Sequence, residues 1–172
     1  MHKQMYALIP NGSRFHVMEI FGYSTKGVPG LEIVGLGAKG KSIKEKFVFL
    51  NKKLGLKLPP RRYVLCVEDA VVSSSKDDLY RWLELPFLIM YWSMAMVLPI
   101  QHLDNCLCGG KITARGKITT GPLNSSPLED LEEHLDGGLK LITSNLEVFG
   151  PDQIIPLREI MGRDDLVTEE SA

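Results

Sequence analysis

A chain of 172 residues with 44% hydrophobic and 24% charged side chains has the length and balance of one globular domain. That excludes a disordered, collagen-like or multidomain protein. Its 20 basic and 21 acidic residues nearly cancel, so no overall field draws the molecule onto nucleic acid or an acidic surface.

The first thirty-six residues read as strands. YALIP, RFHVMEIFGY and LEIVGL are short apolar or alternating runs, separated by turn signals at Asn11-Gly12 and Val28-Pro29-Gly30. From about Lys41 the period changes to helical, with Ile43, Phe47, Leu50 and Leu54 recurring among charged residues and Gly55 as a stop. Pro59-Pro60 forces an extended entry into a buried strand over Tyr63 to Val67. SSSKDD, Ser73 to Asp78, reads as a loop, and an apolar helix from near Glu84 to Leu98 reads as the central core element. Leu85 to Ile100 carries no charge, but it falls short of the roughly 20 residues of a membrane span and is bracketed by Pro86 and Pro99, so no membrane partner is expected.

CLCGGKITARGKITTG predicts two short strands in a hairpin, and PLEDLEEHLDGG a short acidic helix. LKLIT and QIIP are further strand candidates, LREIMG is a terminal helical turn, and the last ten residues are expected to fray. The result is an α+β (mixed α/β) single domain over residues 1–162 with a flexible tail over 163–172. Three cysteines, Cys66, Cys106 and Cys108, are too few and too odd for a disulfide framework and point to a reducing, cytoplasmic setting. MHKQMYALIP shows no apolar run before a small-residue cleavage site, so no signal peptide is expected.

Charge is unevenly placed. Nine basic residues between positions 39 and 62 oppose Glu45 alone, whereas twelve acids from Glu129 to Glu170 oppose Lys140, Arg158 and Arg163. The asymmetry fits a polar protein partner or a homo-oligomer joining unlike faces, and equally two solvated faces. Lys52, Lys53, Lys57, Arg61 and Arg62 form a candidate anion or DNA contact patch, without the interleaved aromatics of a base-stacking platform.

Gly35 to Ser42, GLGAKGKS, satisfies the phosphate-loop pattern, follows an apolar run and opens a helix. Gly35, Gly40, Lys41 and Ser42 are therefore candidate nucleotide-binding residues for magnesium-ATP or magnesium-GTP, with Glu68 or Asp69 near the metal. The other reading is a tight strand-to-helix connection with Lys39 and Lys41 in water. His102, Asp104, Cys106 and Cys108 make a weak H-x-D-x-C-x-C metal candidate, against which free cysteines usually act as small apolar residues.

Taken in order, YALIP, GVPGLEIVGL, KSIKEK, KLPPRRYVLCVEDA and ELPFLIM resemble the N-terminal domain of magnesium-chelatase-like proteins of the competence-associated helicase family. GGKITARGKI is similar to a strand-turn-strand segment of the Lon protease proteolytic domain, and NLEVFG to the family's closing segment. The resemblance implies a Lon-like mixed sheet packed against helices. It also implies a serine-lysine peptidase site, in which an amine takes the proton of an attacking hydroxyl.

The serine position implied by the resemblance, just before Glu84-Leu85-Pro86, is Arg81, which can neither attack a carbonyl nor deprotonate. No lysine lies between Lys117 and Lys140, where TTGPLNSS stands in the place implied for the amine. A relocated dyad would pair Ser73, Ser74 or Ser75 with Lys76, Lys111 or Lys117. The leading expectation is a stand-alone, non-catalytic domain without cofactor that binds a protein, itself or DNA. The alternatives are a small P-loop NTPase and a peptidase with a relocated dyad.

Overall fold

The computed structural model describes residues 1–76, 78–120, 129–144, 149–163 and 165–169. It is mixed α/β, with the strands and helices of one domain alternating along the chain as the sequence reading expects. A long hairpin, β1 (His2–Asn11) and β2 (Arg14–Thr25), turns at Gly12 and Ser13, with Asn11 paired to Arg14. β3 (Gly30–Val34) leads through α1 (Ala38–Lys53) to β4 (Arg62–Val67), which pairs parallel with β3 and antiparallel with β2.

The chain then makes the short helix α2 (Ala70–Ser74), a 3₁₀ helix (Asp78–Leu83) and α3 (Glu84–Met94). The serine-rich stretch is thus partly helical rather than a plain loop. Asp69 explains the difference, since its carboxylate accepts the Val72 amide at 3.2 Å and caps α2.

The later segment makes the expected hairpin from its second and third strands and adds a strand before it. β5 (Cys106–Cys108) joins the large sheet, whereas β6 (Gly110–Ile112) and β7 (Lys117–Thr120) pair in a second one. The break falls at Gly109, where a Cβ would lie 2.0 Å from the Leu8 carbonyl oxygen. After α4 (Glu129–Asp136), β8 (Lys140–Thr143) and β9 (Ile154–Pro156) extend the large sheet, and α5 (Leu157–Met161) follows. β10 (Thr168–Glu169) pairs with β7, and Leu166 and Val167 are buried. Residues 165–169, part of the stretch expected to fray, thus carry a short strand and two buried apolar side chains.

The large sheet has seven strands in the order β3-β4-β2-β1-β5-β8-β9, and β2 runs against the other six. Alternation along the strands sorts two cores. Met5, Ala7, Ile9, Cys106 and Cys108 face the main core with α1 and α3, whereas Leu8, Leu107 and Leu141 face Leu131 and Leu135 of α4. No helix among the described residues is long and apolar enough to cross a membrane.

α3 ends at Met94, four residues before the sequence reading stops it. Its C-terminus is a Schellman closure, in which Val97 donates to Trp92 at 2.8 Å and Met96 to Ser93 at 3.1 Å. α1 closes in the same way at Gly55, which the sequence signals with glycine. At α3 the left-handed position is Met96, with φ 63°, so the signal is missing. The left-handed region costs a side-chain residue about 1–2 kcal/mol, and Met96 is 64% exposed. Met96→Gly is therefore expected to stabilise the fold by about 1 kcal/mol, raising the melting temperature by roughly 2–4 °C in calorimetry.

Candidate functional site

Every residue of α3 is buried, and the first of them is an acid. Glu84 is 1% exposed. Such a carboxylate is costly unless donors meet it on all sides. Lys46 of α1 donates to Oε2, the Ile112 amide of β6 donates to Oε1 at 3.0 Å, and Arg81 Nε lies 3.7 Å from Oε1. Lys46 Nζ also donates to the Ile112 carbonyl at 2.7 Å, closing a ring between α1, α3 and β6. The first helical turn adds its positive end to the carboxylate, and Pro86 is tolerated there because that turn has no intrahelical acceptor to lose. Beside this ring, Lys111 Nζ sits 4.7 Å above the Trp82 ring.

Sequence reasoning missed the pair. Lys46 looks like one more residue of a basic helix, although it neighbours Phe47 on the stripe of Ile43, Phe47 and Leu50. Glu84 looks like a helix-opening acid, although it is flanked by Leu83 and Leu85 in an apolar run. A lysine beside one apolar stripe and an acid opening another are the signals that were available.

Arg81 stands between Tyr80 and Trp82 in the 3₁₀ helix, with its guanidinium turned toward Glu84. The relocated serines are placed differently. Ser74 donates its hydroxyl to the Ala70 carbonyl, and Lys39 donates to the Ser75 carbonyl at 2.6 Å. Ser73, Lys76 and Lys117 are exposed, and Lys111 is held over Trp82. Of TTGPLNSS, only Thr119 and Thr120 lie within the described residues; of NLEVFG, only Phe149 and Gly150 do.

The early glycine turn is shorter than the pattern suggests. α1 begins at Ala38, so Gly40, Lys41 and Ser42 belong to its first turns, and only Gly35, Leu36 and Gly37 connect it to β3. The amides of Lys39 and Gly40 turn back onto the carbonyls of Leu36 and Gly37 at 3.2 and 3.1 Å. Gly35 has φ 106°, and a Cβ there would lie 1.8 Å from the Val67 carbonyl oxygen. The glycine is required by close approach to β4. Lys41 and Ser42 are exposed, as is Glu68, while Asp69 is engaged with the α2 cap and with His16 Nε2 at 2.8 Å.

His102 and Asp104 precede β5 and are exposed, whereas Cys106 and Cys108 are fully buried, so the four do not converge. Among the described residues no group of three or more His, Cys, Asp or Glu side chains could hold a metal ion. Burial pushes the Cys106 thiol up to about 11 and raises that of Cys108 well above its ordinary value. It also raises Cys66, beside Glu32 and Glu68.

The basic patch divides in space. Lys53 donates to the Arg115 carbonyl at 2.8 Å, toward the β6–β7 hairpin, and Lys57 is exposed. Arg62 bonds Glu32, and Lys52 and Arg61 line a groove of about 530 Å³ beside Gly30 and Leu31. A second groove, of about 490 Å³, continues it along β3 past Lys41 and Lys44. No protein-family model matches the chain, and no curated protein matches it.

The buried ring and the thiols each have measurable consequences. Glu84→Leu alone is expected to lower stability by about 3–5 kcal/mol, because Lys46 is left without its carboxylate. Lys46→Met combined with Glu84→Leu should recover at least half of that loss in urea titrations, the sign of a coupled pair. Burial keeps the Cys106 thiol protonated at pH 8. All three thiols are therefore expected to resist a disulfide-exchange reagent at pH 8 until denaturant is added. Because burial raises Cys106 from an ordinary value of 9.0 to about 11, its contribution to stability is complete below the lower value and declines as pH rises toward the upper one.

Proposed function

We propose that this chain is a non-catalytic domain of the magnesium-chelatase-like class, with a Lon-type layout, that acts in the cytoplasm by binding a protein partner. The observation that carries the reading is Arg81. At the position the resemblance assigns to an attacking hydroxyl stands a guanidinium directed at a buried carboxylate that Lys46 already neutralises. A guanidinium carries no hydroxyl to attack a carbonyl and stays protonated, so it can serve as neither the nucleophile nor the base of a Ser-Lys peptidase. The bulk of Tyr80 and Trp82 on either side leaves little room for a substrate backbone.

The short glycine connection supports the same reading over a nucleotide-binding one. A phosphate loop offers several unbonded amides to one anion. Here the Lys39 and Gly40 amides are spent on local carbonyls, and Lys41 lines a groove beside β3 instead of capping a nest.

The test has two arms. A fluorophosphonate should label no serine, including Ser73, Ser74 and Ser75, and stoichiometric labelling of any of them would revive the peptidase. Magnesium-ATP or magnesium-GTP at a hundredfold over Kd would add about 2.7 kcal/mol, or roughly 5–10 °C for a domain of this size. We expect a shift below about 1 °C in differential scanning fluorimetry. A nucleotide-dependent gain that disappears in Lys41→Ala would replace the binding reading with an NTPase.

A further inference from the structure

We propose that the groove between the free edge of β3 and the outer wall of α1 receives an extended, acidic segment of a partner protein, which adds to the large sheet as an eighth strand. The inference rests on the binding reading above and names the surface and the chemistry of the partner.

Among the described residues β3 is the end strand of the sheet, bonded to β4 on one side. Gly30 donates to the Arg61 carbonyl at 3.2 Å, which fixes the direction of its peptide groups. Along an extended chain these directions alternate, so the Leu31 amide and carbonyl and the Ile33 amide point away from β4 toward the groove. An unpaired row of this kind is a template for a further strand.

One wall of the groove is a single helical face. From the capping Gly37, the α1 residues Gly40, Lys41, Lys44, Val48 and Lys52 follow at steps of one, three or four residues, and all of them line the two adjoining cavities. At the narrow end α1 presses on the strand, since a Cβ at Gly40 would lie 3.2 Å from the Ile33 carbonyl oxygen. A strand laid here would have its backbone on β3 and alternate side chains, about 6.6–6.8 Å apart, against the lysine wall.

The charge selects the occupant. Lys41 and Lys52 are exposed and Lys44 is half-buried, and the one acid among the described lining residues, Glu32, is tied to Arg62. Val28, 85% exposed at the same edge, offers an apolar contact to the intervening side chains. A single nucleic acid strand would need ring faces to stack on. The rings that line the groove, Tyr63 and Tyr91, are 2% and 5% exposed and packed edge to face.

The probe is a fluorescent peptide of about twelve residues alternating glutamate with threonine or valine, titrated with the full chain and read by anisotropy. Saturable binding is expected, weakened about tenfold or more by the joint substitution Lys41→Glu and Lys44→Glu. The same peptide N-methylated at alternate amides, which keeps the charge and removes strand pairing, should lose binding. Circular dichroism of the variant should match the parent, and its melting temperature controls for folding.

Absence of binding, or binding that survives N-methylation, overturns the proposal. So does preferential, steeply salt-dependent binding of single-stranded DNA that the same substitution abolishes. Sedimentation velocity supplies the last alternative, since a dimer dispersed by Lys41→Glu and Lys44→Glu would make a second copy the occupant. None of these failures bears on the fluorophosphonate and nucleotide tests, so the wider binding reading is judged separately.

Discussion

One carboxylate organises the interior. Glu84 opens a helix buried along its whole length, and its charge is acceptable there because α1 and β6 each donate a hydrogen bond to it and the 3₁₀ helix sets a guanidinium beside it. Apolar contacts around α3 are numerous and non-directional; the ring of Glu84, Lys46 and Ile112 is directional and fixes how the helix is rotated. Since Lys46 is in the middle of α1, the same ring sets where α1 crosses the sheet, and through Gly40 how closely it approaches β3. The small sheet is held through both peptide groups of Ile112.

The same arrangement bears on the non-catalytic reading proposed above. An attacking hydroxyl needs an adjacent base and donors aimed at an oxyanion. Here the donors converge on a resident carboxylate instead, and the aromatic neighbours of Arg81 are occupied by lysines, Lys39 at 5.5 Å from the Tyr80 ring centroid and Lys111 above Trp82. The surface has its cations where a partner could meet them, on α1 beside an open strand edge.

Much of this architecture was legible in the residues, because period and turn chemistry are local. The alternation in β1 and β2, the stripe of Ile43, Phe47 and Leu50, and the all-apolar α3 each announce their element. What was hidden depends on approach between distant segments. Gly109 marks the break between two sheets only because Leu8 passes beneath it, and Gly35 looks like part of a phosphate loop until Val67 is seen against it. The Lys46–Glu84 pair spans 38 positions, so neither residue points to the other. The tail looked frayed because Leu166 and Val167 are too few to show a period, although they are enough to dock.

The strand order carries a consequence for biosynthesis. β1 can close its hairpin with β2 as soon as both leave the ribosome, but its other edge pairs with β5, Tyr6 with Leu107, and β8 and β9 come later still. Contacts of such long sequence separation form slowly. During that interval the nascent chain presents α3 before the strands that finish its enclosure have been made.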